Sequence, residues 1–378
     1  MDDFKKPPVL SVCMIVKNEE KFLPDCLESV KNVADELIVV DTGSVDKTVE
    51  IAKSFGAIIK YFEWIDDFSA ARNASLEKAT GDWILWMDAD DYLNAEDQQK
   101  VSQAVNLVPD RGLYFTLANE GGYDTTAFQQ VKMFPNHREI RFERTVHETV
   151  VPSLQRLGMN IVVTDGIVRH TGYSSRDLVA RKRTYYLELM NKWLDENPDD
   201  HDICFRVGHT HYSCGERESA LQYFGSIMSA GQDAVKPLSV FQKAATFRGR
   251  TYLELGEYSK AEKDLRAALV CDVDNVLALL SLGDALTKQK KFEEAVGYLE
   301  RAKHGKVDKT FPIERELVAY SIRFFLGQCC QELGRYSEAR ESFSEACQIM
   351  PSRSEAREAL LQTQSSVSAV ETGAGGSS

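Results

Sequence analysis

The stretch Trp83-Ile84-Leu85-Trp86-Met87-Asp88-Ala89-Asp90-Asp91 restricts the fold of this chain more than any other. An unbroken apolar run of strand length fits a strand covered on both faces. Its abrupt end in three carboxylates fits delivery of a charged site to the carboxyl edge of a parallel sheet, where open α/β folds bind ligands. Asp88 and Asp90 stand two apart, so a continuing strand would point both to one side. Neighbouring anionic oxygens stay ionised cheaply only with a cation between them. A divalent ion of the Mg or Mn class fits that need and keeps positions open for phosphate. The plainer alternative is a polar strand end turning into an acid-rich loop.

What precedes this stretch favours the sheet. Leu10–Val16 is a short apolar run, followed by Lys17-Asn18-Glu19-Glu20 and then by Phe22, Leu23, Cys26, Leu27 and Val30 at helical spacing. Glu36–Val40 ends in Asp41-Thr42-Gly43-Ser44-Val45-Asp46, Thr48, Ile51 and Ala52 open a second helix, and Ala57–Tyr61 gives a third strand. Such alternation predicts a mostly parallel, Rossmann-like sheet with right-handed crossovers. After the central strand, Ala95–Val105 reads as a helix, with strands at Gly112–Leu117 and Phe128–Phe134 around Gly121-Gly122. No Gly-x-Gly-x-x-Gly follows the first strand and no P-loop motif occurs, which disfavours a dinucleotide redox cofactor or a P-loop nucleotide. A nucleotide held by carboxylates and a metal is what remains.

The wider composition narrows the partners. At 378 residues the chain has room for two or three domains, and 45 Lys and Arg against 58 Asp and Glu argue against nucleic acid or an anionic membrane as the default partner. Apolar runs fall short of the ~20 residues of a membrane span and the first residues lack a signal-peptide core, so the expected location is cytoplasmic. Eight cysteines with no Cys-x-x-Cys pair suggest neither a zinc ribbon nor a disulfide framework. His209 and His211, the centre of a Cys204–Cys214 cluster, would lie about 200° apart on a helix and could not share one ion.

Four motifs in order, Val16-Lys17-Asn18-Glu19, Val39–Asp46, Ala71-Arg72-Asn73 and Asp88-Ala89-Asp90-Asp91, resemble a family 2 glycosyltransferase of the GT-A fold over roughly residues 8–172. The resemblance implies that Asn18, Glu19 and Asp41 hold the base and ribose of a nucleotide-sugar donor, and that Arg72 reaches its diphosphate. Asp88, with Ala89 beside it, also belongs to the donor site. It implies that Asp88 and Asp90 ligate Mn or Mg, that a later histidine, here His170, completes the metal site, and that Glu148 is the general base. The family's usual Glu-Asp pair is absent, so Asp91 and Glu143 stay open as bases. The plainer alternatives are N-capping for Asp41, a helix N-terminal charge for Glu148 and a strand-end role for His170.

From about residue 200 the chain repeats. Gly208, Gly249, Gly283 and Gly327 are each followed twelve residues on by an alanine (220, 261, 295, 339) and four further by Phe224, Leu265, Leu299 or Phe343. This pattern resembles the tetratricopeptide repeat, with Ala268, Ala302 and Ala346 at the second small position and Gly215, Gly256 and Gly334 ending first helices. The first glycines stand 41, 34 and 44 apart, which predicts loops of about 7 and 10 extra residues beyond the ideal 34. Cys204 and His211 fall on packing positions.

The expected architecture is therefore an α/β catalytic domain over 1–175, a linking helix over 176–200, an all-α repeat solenoid over 201–364 and a disordered Ser/Gly-rich tail over 365–378. The expected activity is metal-dependent, inverting transfer from a nucleotide sugar, UDP-linked, to a peptide or protein acceptor taken by the repeats, whose concave face otherwise suits a homodimer contact. A glycan acceptor such as lipopolysaccharide core, a non-catalytic nucleotide-binding scaffold and a nucleotidyltransferase are the alternatives; the last is weakened by the absence of a glycine-rich, arginine-containing loop after the first strand.

Overall fold

A computed structural model of the chain describes residues 9–120, 127–171, 176–305 and 314–373. Gly121-Gly122 lie outside them. Two compact units result, one running to Glu196 and the other starting at Asn197.

The first unit opens with β1 (Leu10–Val16), α1 (Leu23–Val30), β2 (Glu36–Asp41), α2 (Thr48–Ser54), β3 (Ile58–Tyr61), α3 (Phe68–Leu76) and β4 (Trp83–Trp86). It continues through β5 (Asp91–Tyr92), α4 (Ala95–Val105), β6 (Arg111–Asn119), β7 (Ala127–Pro135), α5 (Val151–Arg156), β8 (Asn160–His170) and α6 (Arg176–Glu196). The sheet order is β3-β2-β1-β4-β7-β6-β8-β5. β1 to β4 pair in parallel, as the alternation predicts. β7 is antiparallel to both β4 and β6, and β5 is antiparallel to β8, so half of the sheet is mixed.

Burial explains the unbroken apolar run. Trp83 and Leu85 pack with Leu10, Val12, Met14 and the α1 stripe Leu23, Leu27 and Val30 on one face. Ile84 and Trp86 pack with Cys13, Ile38, Phe134, Phe142 and Leu154 on the other. A strand covered on both faces needs no alternation, and each such Leu, Val or Ile contributes about 1.5–3 kcal/mol on burial. α6 spans the segment expected to link two domains, yet it groups with the first unit.

The second unit is a run of helical pairs: α7 (His201–Ser213) with α8 (Arg217–Ala230), α9 (Leu238–Glu254) with α10 (Tyr258–Cys271), α11 (Val276–Lys288) with α12 (Phe292–His304), and α13 (Arg315–Glu332) with α14 (Tyr336–Ile349). The repeating glycines have a direct physical cause. A Cβ on Gly208, Gly249, Gly283 or Gly327 would come within 2.5–2.8 Å of Phe224, Leu265, Leu299 or Phe343, the large residue sixteen positions later. Each first helix thus lies against its partner at backbone distance. The extra residues between units are not all loop, because α9 and α13 start eleven and twelve residues before their glycines, against seven in α7 and α11. α15 (Ser354–Gly373) likewise runs past Leu361 into the segment expected to be disordered; residues 374–378 lie outside the described ones.

The cysteine and histidine cluster is packing. Cys204 is buried, the His209 ring stands edge-on to Phe247 at 4.8 Å, and the half-buried His211 stacks on Tyr223 at 5.5 Å.

Two glycines of one helical pair separate close approach from mere tolerance. Gly283→Ala must displace Leu299 and is expected to destabilise by about 1–3 kcal/mol. Gly297→Ala, on α12 where nothing lies within 4 Å, is expected to stabilise by about 1 kcal/mol through helix propensity. Urea unfolding followed by far-UV circular dichroism reads both signs.

Candidate active site

β4 stops at Trp86, earlier than a strand that would carry Asp88 and Asp90 outward together. Residues 88–91 instead close a turn: Asp91 N donates to Asp88 O at 3.0 Å and Asp88 N donates to Asp91 Oδ2 at 3.0 Å. The turn leads into β5, whose register against β8 sets Asp91 opposite His170. One carboxylate oxygen from each of Asp88, Asp90 and Asp91 and a ring nitrogen of His170 all lie within 4.8 Å of one another. His170 Nδ1 is 2.9 Å from Asp91 Oδ1 and 3.3 Å from Asp90 Oδ1. A recess of about 250 Å³, lined in part by Phe22, Cys26, Asp90, Tyr92 and Thr171, borders this group.

Two buried cations keep the acids together. Arg72, on α3, donates from Nη2 to Asp88 Oδ1 at 2.6 Å and from Nε to Glu148 Oε1 at 2.5 Å. Its guanidinium lies 4.2 Å from the centroid of Trp86. Its Nη1 is buried without a hydrogen-bond partner, an N–H in need of an acceptor. Lys132, fully buried, donates to Asp91 Oδ2 at 2.8 Å and stands 3.8 Å from the Trp86 ring centroid. It reaches this position through a bulge. Leu113 pairs with Met133 and Tyr114 with Val131, so Lys132 is the unpaired extra residue of β7, and a bulge re-aims its side chain.

The charges are unevenly shared. Burial works against ionised Asp88, but Arg72 and Lys132 outweigh it and hold its carboxyl well below the usual range. Asp90 is pushed up to about 6 by burial, and the charges of Asp88 and Asp91 add to that against the pull of His170. Burial lowers His170, and the three aspartates more than reverse it. Glu19 is raised to about 7 by burial and by Asp90.

The loops after β1 and β2 are tied to each other. Asn18, in a left-handed conformation at φ 57°, donates its N–H to Ser44 Oγ and accepts from Val45 N at 2.8 Å. Glu19 N donates to Thr48 Oγ1 at 2.7 Å. Asp41 is buried and accepts from Gly43 N and Ser44 N, a strand-end turn and not a helix cap.

The expected residues therefore fall into three sets. Asp88, Asp90 and His170 converge, Arg72 joins Asp88 to Glu148, and Asn18, Glu19 and Asp41 share the neighbouring loops, with Glu19 in electrostatic reach of Asp90. Ala89 is buried beneath the turn. Of the two open alternatives for the base, Glu143 is tied to Ser153 and Arg156, and both oxygens of Asp91 are engaged. Lys132 was missed because strand alternation does not foresee a bulge; its signal was a lone charge inside Val131-Lys132-Met133.

Residues 11–153 match the model of glycosyl transferase family 2, and residues 248–307 and 321–353 match tetratricopeptide repeat models. The first unit carries a family 2 glycosyltransferase domain. A TPR repeat-containing protein of Synechococcus elongatus is 35% identical over 232 residues, 59% of this chain and 57% of that protein. The SPbeta prophage-derived glycosyltransferase SunS of Bacillus subtilis is 30% identical over 225 residues, 57% of this chain and 52% of that protein. This chain thus spans little over half the length of these two relatives. Among solved structures, YrrB, described as a TPR protein with an unusual peptide-binding site, aligns over 48% of this chain and 85% of its own at 22% identity and a TM-score of 0.38. None of the described helices is long and apolar enough to cross a membrane.

Removing one partner of a fully buried ion pair strands the other. Lys132→Met is expected to cost about 3–5 kcal/mol in the first unit, measured by urea denaturation with chelator present. A loss under about 1 kcal/mol would show that Asp91 does not depend on this cation.

Proposed function

We propose that this chain is a metal-dependent, inverting glycosyltransferase that moves a sugar from a UDP-sugar to a peptide or protein acceptor. The observation that carries the reading is the convergence of Asp88, Asp90 and His170 at the end of β4, with Arg72 joining that group to Glu148. Three oxygen and nitrogen donors of this kind suit Mn or Mg, and the partnerless Arg72 Nη1 suits a phosphate oxygen. When bound, the ion supplies charge to the two phosphates of the donor.

The chain's own residues do the rest. Asp91 fixes the His170 ring through Nδ1, a carboxylate–histidine arrangement common behind metal ligands. Asp41 spends two of about four lone-pair sites on Gly43 and Ser44 and can still accept from a ribose hydroxyl. Asn18 and Glu19, on the facing loop, complete the nucleoside end. Arg72 anchors Glu148 by Oε1, and among the described residues Oε2 takes no hydrogen bond, which fits removal of the acceptor's proton. One base and one displacement invert the anomeric centre. The repeat unit suits an extended polypeptide acceptor, since a stack of helical pairs presents a long concave surface.

Mn-dependent hydrolysis of UDP-sugars by the full chain, with mass spectrometry of candidate acceptors, tests the reading. Asp90→Asn keeps the shape of the side chain and removes its charge, so calorimetry is expected to show loss of Mn-dependent UDP binding. Unchanged affinity would remove Asp90 from the metal site. Glu148→Gln keeps a carbonyl for Arg72 Nε and removes the base. Transfer is expected to fall roughly 10²–10⁴-fold with UDP affinity nearly intact, and a parallel loss of both would mark Glu148 as structural.

A further inference from the structure

Helix α6 follows His170 in the chain and belongs to the first unit. Aromatic and polar contacts dock it beside the acid cluster. Tyr185 Oη donates to Asp66 Oδ1 at 2.6 Å, and Trp64 Nε1 donates to Tyr185 Oη at 2.9 Å. The Tyr186 ring packs edge-on to Phe68 at 5.8 Å and stands 6.4 Å from the His147 ring. Phe68 lies one helical turn before Arg72 on α3, and His147 immediately precedes Glu148, so the contacts of Tyr186 run to the neighbours of both. Positions three and four apart share a helix face, which puts Lys182 on the face of α6 that Tyr185 and Tyr186 dock.

Lys182 lies within electrostatic reach of Glu19 and Asp90, on the nucleoside and metal sides of the site. It touches neither. Among the described residues the Lys182 ammonium makes no hydrogen bond and no ion pair, whereas Arg72 and Lys132 are already in contact with Asp88, Glu148 and Asp91. A lysine held near carboxylates without closing on them leaves room for an anion that also needs a metal. A compact ammonium on a flexible stem suits a phosphate oxygen.

We propose that Lys182, contributed by helix α6, binds the diphosphate of the nucleotide sugar and stabilises the nucleoside diphosphate as it leaves. The proposal rests on the reading of the first unit as a sugar transferase acting from a UDP-sugar. It makes α6 part of the donor site and not a spacer.

The test is calorimetry on the full chain with two probes, Mn alone and then UDP at saturating Mn, for the wild type, Lys182→Gln and Lys182→Arg. A cation removed from beside Asp90 favours a bound metal and disfavours a bound diphosphate, so the two probes should move in opposite senses. Lys182→Gln is expected to bind Mn as tightly as the wild type or more so, and to bind UDP about 10-fold or more weakly, the size of a lost charge-assisted hydrogen bond. Lys182→Arg should restore most of the UDP affinity. Wild-type UDP affinity in Lys182→Gln overturns the assignment. So does a parallel loss of Mn and UDP, which would make Lys182 a structural residue. A wild-type chain that binds Mn but no UDP overturns the UDP-sugar reading on which the assignment rests.

Discussion

Arg72 is the tie on which the site depends. Its guanidinium reaches from the helix before β4 to the turn after β4 and to a loop 76 residues further along the chain than Arg72, holding Asp88 and Glu148 at 2.6 and 2.5 Å. Neither carboxylate would be well placed without it, because one sits in a turn and the other in a segment with a single isolated bridge, Glu143 to Thr149. The cost of burying this ion is high, and only contact with two acids and the flat Trp86 surface offsets it. Trp86 thus serves two ends: one face of β4 closes the core, and its ring supports both cations.

The acids around Arg72 are not equal. Asp88 is held ionised by Arg72 and Lys132, Asp91 is sealed by Lys132 and His170, and Asp90, with His170 on one side and two carboxylates on the other, is raised chiefly by burial. Two carboxylates touch a buried cation, whereas the third has only the His170 ring beside it. That imbalance suits the cation-binding role proposed for this group, in which three of the four residues 88–91 are acids at the end of an apolar run.

Much of this was legible in the sequence, for reasons that differ by residue. The parallel half of the sheet follows from apolar runs separated by helical spacing, and the repeats follow from a glycine whose missing Cβ accommodates a residue sixteen positions on. Asp88 and Asp90 were read from the acidic end of an apolar run, Arg72 and Glu148 came from motif resemblance, and the contacts among them depend on side-chain geometry that spacing does not encode. His170 meets the acids only because β8 pairs with the two-residue strand β5, a register no local pattern announces. Lys132 depends on a bulge, and α6 depends on which unit a helix packs against. Both are tertiary facts, which is why the first was overlooked and the second was read as a linker.

The glycine and large-residue pairs of the second unit are all local, closing within sixteen residues of chain. The first unit is the opposite case. Its ion pairs and sheet neighbours join positions such as Asp91 and Lys132, 41 residues apart, or Asp91 and His170, 79 apart. Chains dominated by short-range contacts fold faster than those that must first close long loops. The local repeat contacts are therefore expected to form sooner than the acid cluster, whose members come from segments up to 79 residues apart. A chain caught midway through folding is expected to display helical repeats before the acid cluster has assembled.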